Sequence, residues 1–170
     1  MATLDNQVVS FGITSTLNNT LDLQTASSLL TLAQGFGMQS GTGANQADKV
    51  FSDQRTIAAS GTDPLDVAAG GLLDPLGSVF TVARLKLIFI QALAANTNNV
   101  VLGGGANPVI NYMTGTTPAI VVRPGGWLML FAPDATGYPV TAGTGDVLTL
   151  TNSAAGTSVT YNVVLIGSSA

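Results

Sequence analysis

The sequence predicts an all-β protein, an antiparallel β-sandwich over 48–170 preceded by an arm and a Gly-rich linker over 1–47. Three observations carry that prediction. The stretch 118–167 is a series of short apolar runs cut by turns at Pro124-Gly125-Gly126, Gly137-Tyr138-Pro139, Gly143-Thr144-Gly145-Asp146 and Ala154-Ala155-Gly156. Short strands at such intervals, with turn chemistry between them, signal a sandwich or barrel. Second, the chain has 20 glycines, abundant threonine and not one glutamate, a poor alphabet for helices. Third, 79–93 (VFTVARLKLIFIQAL) is the strongest strand candidate and is largely apolar on both faces, so it needs cover on both sides. In a two-layer sandwich the second cover has to come from a neighbouring subunit or from the arm.

Taken in order, residues 1–20 alternate weakly, with Val9, Phe11 and Ile13 set against Val8, Ser10, Gly12 and Thr14, and supply one strand. Asn18-Asn19 reads as the turn that ends it. The stretch 21–36 is ambiguous. Leu23, Ala26, Leu30 and Ala33 fit a helical stripe, whereas Thr25, Thr31 and the serine pair fit a strand. The arm is therefore read as extended or partly helical. Residues 37–47 (GMQSGTGANQA) have the composition of a flexible linker or a long loop.

From Lys49 the β pattern firms up, with a strand over 50–58, a turn over 60–64 and loops through LDVAAGGLLDPLG. In 79–93 strict alternation puts Leu85, Leu87, Phe89 and Gln91 on one face and Arg84, Lys86, Ile88 and Ile90 on the other. Asn96 to Asn99 form a turn, and short strands follow over 100–102, 107–112 and 119–122, with Gly103-Gly104-Gly105 as a loop. The run WLMLF at 127–131 is expected to be buried, and 147–151 and 158–166 close the sheet, so that the chain ends on a strand locked into it.

Charge narrows the function. Charged residues are only 8% of the chain against 46% hydrophobic, well below the share that disperses a soluble monomer. The missing charge is expected at buried subunit contacts, which points to an oligomer or larger assembly. The nine acids are all aspartate, and the bases are Lys49, Arg55, Arg84, Lys86 and Arg123 alone. A net charge of −4 leaves no basic footprint for direct nucleic-acid binding. The opening MATLDNQVVS lacks the basic and apolar regions of a signal peptide. The most apolar stretch, 79–95, is broken by Arg84, Lys86 and Gln91 and is short for a membrane span. Synthesis in the cytoplasm and no membrane partner are the expectations.

No catalytic, cofactor or metal residue can be assigned. Without histidine or cysteine there are no His- or Cys-based triads, thiol mechanisms or ordinary zinc sites. Gly103-Gly104-Gly105 lacks the spacing and the following helix of a phosphate loop. Asp63, Asp66 and Asp74 lie near one another, but the neighbouring Pro64, Gly70, Gly71 and Pro75 make them turn aspartates rather than an acid–base pair. Each arginine and lysine is expected to pair with an aspartate, within the chain or across an interface. Trp127 sits among Leu128, Met129, Leu130 and Phe131 and is read as core rather than as a sugar platform. The chain is read as no enzyme.

Four pieces of the chain resemble small virion proteins of tailed bacteriophages: 41–77, FTVARLKLIFI at 80–90, VVRPGGWLMLFAPDATGYPV at 121–140 and AGTGDVLTLTNSAAGTSVTYNVVLIG at 142–167. The resemblance implies a jelly-roll-like sandwich that coats or cements a capsid as a homotrimer at the capsid surface, with the major capsid protein as partner. It implies no binding residue. The expected role is capsid decoration; the alternative is a tail, connector or head-spike component, including one that recognises a host glycan.

Overall fold

The computed structural model describes residues 4–5, 7–109 and 118–170. It is all-β, with 59% strand and, among the described residues, no helix. In chain order the strands are β1 (Gln7–Thr20), β2 (Thr25–Ser40), β3 (Gln46–Ala47), β4 (Lys49–Ile57), β5 (Thr62–Asp66), β6 (Leu72–Leu73), β7 (Val79–Phe80), β8 (Arg84–Ala92), β9 (Val100–Gly103), β10 (Ala119–Val122), β11 (Trp127–Phe131), β12 (Tyr138–Pro139), β13 (Val147–Asn152) and β14 (Val159–Ser168).

Two sheets make the body. In one, β11, β8, β14 and β4 are neighbours in that order, with β12 also beside β8; the other runs β10, β9, β13, β5. The pairings in both are antiparallel. Ile88, Ile90, Val163 and Leu165 from the first sheet meet Leu65, Leu102, Leu148 and Leu150 from the second in one core. Two facing sheets that share a core are the arrangement of a β-sandwich. In β14 the core positions Val159, Tyr161, Val163 and Leu165 alternate with Thr160, Asn162 and Val164, as a half-covered strand requires. The chain does end on a strand held between two neighbours.

The strand expected over 79–93 is two elements, β7 and β8, and its alternation is interrupted. Leu85 lies in the core with Ile88 and Ile90, whereas Leu87 faces out. The cause is a bulge. Ile166 pairs with Leu87 but the next residue, Gly167, pairs with Leu85, so Lys86 is the extra residue. One inserted residue flips every side chain that follows. Gly167 makes the bulge possible, since a Cβ there would come within 2.5 Å of the Arg84 carbonyl oxygen and 2.7 Å of Val82 Cγ1.

The described residues of the arm include no helix. β1 and β2 form an antiparallel hairpin of fourteen consecutive residue pairs, from Gln7↔Met38 to Thr20↔Thr25. The turn is 21–24, closed by a 2.8 Å bond from the Leu21 amide to the Gln24 carbonyl; Asn18 and Asn19 are ladder residues paired with Ser27 and Ala26. The helical stripe in 21–36 loses because a partner strand pairs residue for residue with a segment rich in β-branched threonine and in serine. The segment with linker composition, 37–47, is the end of β2, a turn, and β3, which pairs in parallel with Gln39 and Ser40 of β2. Met38 and Ala47 are buried in it.

Two more expectations change. Thr62 to Pro64 belong to β5, an edge strand that tolerates Pro64, rather than to a turn. The run 127–131 is an edge strand whose residues are only partly covered, with Leu128 and Leu130 turned to the core and Trp127 half exposed. Residues 110–112 of the strand expected over 107–112 lie outside the described residues.

Candidate interaction surface

The body's two-faced sheet and the hairpin's base meet to form the surface of interest. Cross-strand registers place Phe131, Leu87, Ile166 and Val50 in one row on the outer face. Met129, Phe89 and Val164 form the row above it. Against these pack Val9, Phe36 and Met38 from the hairpin, in a second apolar cluster separate from the sandwich core. Phe36 meets Phe131 edge to face at 5.2 Å, and Phe11 meets Trp127 likewise at 6.1 Å. The second cover that β8 requires is the chain's own arm.

Farther along the same face the rows turn polar. Gln54 donates to Asn162 at 2.9 Å and Asn162 donates to Gln91 at 3.0 Å, with Thr56 and Thr160 beyond at 3.1 Å. An amide ladder of this kind is satisfied without a cover, which fits the apolar cluster's ending before it. At the boundary stands Trp127, 52% exposed rather than core. Its indole lies 6.3 Å from the Phe89 ring, and a shallow cleft there is lined by Ser10, Phe11, Gln91, Met129 and the indole itself. The aromatic rings there stand beside the side-chain amide of Gln91, apolar next to polar.

The other candidate residues have structural partners. Asp66 Oδ1 accepts from the amides of Ala68 and Ala69, and Asp74 Oδ1 from those of Leu76 and Ser78, so both are turn aspartates as expected. Asp63 is different. Its carboxylate joins the two sheets: Arg55 Nε and Nη2 of β4 donate at 2.7 and 2.9 Å, and Tyr161 Oη of β14 at 2.8 Å. Burial alone would raise the Asp63 pKa, but the bonds from Arg55 and Tyr161 outweigh it and hold the carboxyl below its usual value. Burial likewise raises the Tyr161 phenol, and the bond to Asp63 adds to it. Hydrogen bonding to Asp63 raises Arg55, and Asp53 adds a more exposed contact at 3.1 Å.

Within the chain, Lys86 does lie against an aspartate, whereas the bonds of Arg84 go to backbone carbonyls. Arg84 donates to the carbonyls of Thr42, at 3.4 Å, and of Ala170. The fully buried Lys86, displaced by the bulge, donates to the Asp134 carbonyl, and burial lowers its pKa. The glycine triplet is the end of β9 and the loop after it, where Gly103 and Gly104 take left-handed φ of 118° and 76°. Among the described residues no group of three or more acidic side chains converges as a metal site would.

Sequence reasoning missed two features. The Arg55–Asp63–Tyr161 clamp leaves no periodic trace, because its members come from three strands of two sheets. The hairpin did leave a signal in the every-other-residue series Ala26, Leu30, Leu32, Phe36 and Met38. No protein-family model, curated protein or solved structure matches the chain.

Proposed function

We propose that this protein is a capsid decoration protein of a tailed bacteriophage, non-catalytic, which binds the major capsid protein at the shell surface as a homotrimer. The observation that carries the reading is the β1–β2 hairpin. Its 34-residue span, 7–40, has a single charge, Asp22, and its outer half offers exposed leucines to a neighbour. A long uncharged ribbon with free edges binds by strand pairing and apolar burial, which suits a scaffold contact. A ligand that binds only the assembled shell stabilises it by mass action. Such a protein acts outside membranes and without direct contact to nucleic acid, on the virion.

The strand order also supports a jelly roll. Leaving out the short β6, β7 and β12, the eight body strands number one to eight from β4 to β14. They then run one-eight-three-six in one sheet and two-seven-four-five in the other. That interleaving is the order expected of two Greek keys wound together, the architecture common in capsid domains.

The test is the copy number in purified virions relative to the major capsid protein. A stoichiometric ratio to the capsid lattice is expected, and about six or twelve copies per particle would replace decoration by a tail or connector role. A second reading, a head-spike or fibre module that recognises a host glycan, draws on Trp127 with Phe11 and Phe89 at the cleft. It predicts a change in indole fluorescence on titration with host surface polysaccharide. An unchanged spectrum removes it.

A further inference from the structure

We infer that the apolar face of the distal hairpin is a self-association surface whose occupant is a second copy of this chain. Partners in an antiparallel ladder share a face. One face of the ribbon therefore carries Val9 and Phe36, then Phe11 and Gln34, then Ile13 and Leu32, then Ser15 and Leu30, then Leu17 and Ser28. The first two rows rest on the chain's own body. The later rows continue the same face for about another 13 Å, with Ile13, Leu17, Leu30 and Leu32 exposed at 44, 75, 58 and 45%. The opposite face is mostly threonine, serine and glycine, with Thr14, Thr16 and Thr31 among its members.

Three observations select a second copy as the occupant. The distal face is continuous with a contact already made, and it has the chemistry that contact uses, aliphatic side chains on apolar side chains. The charge is segregated, too. β1 and β2 have no ionisable side chain, whereas Asp48, Asp53, Asp63, Asp66, Asp74, Asp134 and Asp146 all lie on the body. All five basic residues lie on the body as well, so two ribbons can meet along β1 and β2 without burying an ionisable side chain of either strand; Asp22, in the turn, is the ribbon's one charge. Finally, β1 has no neighbour but β2 among the described residues, and β2 has β3 only at Gln39 and Ser40, so both ribbon edges keep unpaired backbone groups. An identical ribbon across a symmetry axis covers the apolar face and buries no ionisable side chain of β1 or β2.

The proposal deepens the decoration reading by naming the surface that holds copies together, and it is tested on the purified full chain without capsid, so the two fail separately. Light scattering over a concentration series is expected to give the mass of a closed oligomer. Leu17→Asp with Leu30→Asp is expected to weaken association at least about a hundredfold and yield a monomer with an unchanged far-UV spectrum. Thr14→Asp with Thr16→Asp, on the opposite face, should keep the parental mass. Because the chain has no cysteine, Leu30→Cys gives a clean second measurement. Oxidation should link it into covalent dimers, whereas Thr56→Cys on the body should not link. A monomeric parent, an open-ended aggregate, equal dissociation by the Thr pair, or no cross-link at Leu30→Cys overturns the inference.

Discussion

Asp63 shows how one side chain can hold two layers together. The carboxylate is mostly shielded, with 14% side-chain exposure, and accepts from Arg55 and Tyr161 across the sandwich edge. Removal of Arg55 leaves a shielded charge with one neutral donor, so Arg55→Ala should cost about 2–3 kcal/mol. Tyr161→Phe removes one donor while Arg55 stays, and should cost about 1 kcal/mol. Chemical denaturation reads both. The folded-state pKa of Asp63 is depressed, so its contribution is complete above the unfolded value, about 4, and is lost as pH falls through the lower folded value. The parent should therefore lose more stability in that acidic window than Asp63→Asn does; parallel pH profiles would refute the clamp. Gly167 is a second single-residue device. An added methyl meets the Arg84 carbonyl, so Gly167→Ala should cost about 1–3 kcal/mol, whereas the same change at open Gly71 should cost almost nothing.

At the scale of elements, the hairpin is two structures in series. Its base is part of the fold, because Val9, Phe36 and Met38 cover Leu87 and Ile166. Among the described residues its distal strands pair only with each other. Replacement of 13–32 by a two-residue Asn-Gly turn between Gly12 and Ala33, which are already paired, should change stability by no more than about 0.5 kcal/mol. On the proposed decoration role, the same variant should lose occupancy on virus particles. Full occupancy, measured by quantitative mass spectrometry of the particles, would remove the hairpin from the binding account. The central strand β8 was legible as doubly covered from its composition, but its facing was not. The bulge at Lys86 depends on Gly167, some eighty positions later in the chain, where no window around β8 can register it.

For the whole molecule, the scarce charge has a location. Seven of the nine aspartates and all five basic residues lie within 48–170, and the two long strands of the arm have no charge, Asp5 and Asp22 standing outside them. Deletion of 1–40 should leave a sandwich core that still folds but exposes Phe131, Leu87, Ile166 and Val50, with lower solubility than the 13–32 replacement. Equal solubility by static light scattering would show that the base is dispensable cover. By itself the sequence determined the fold class, the closing strands, the need for cover on both faces of β8, and the shortage of charge. These follow from alternation, turn residues and composition, which act within a few positions. Only tertiary structure decided that the arm is a hairpin, that Trp127 is half exposed, that Asp63 joins the sheets, and which face of β8 each side chain takes. Each of these depends on pairing between residues far apart in the chain, and register, unlike propensity, is a property of two segments at once.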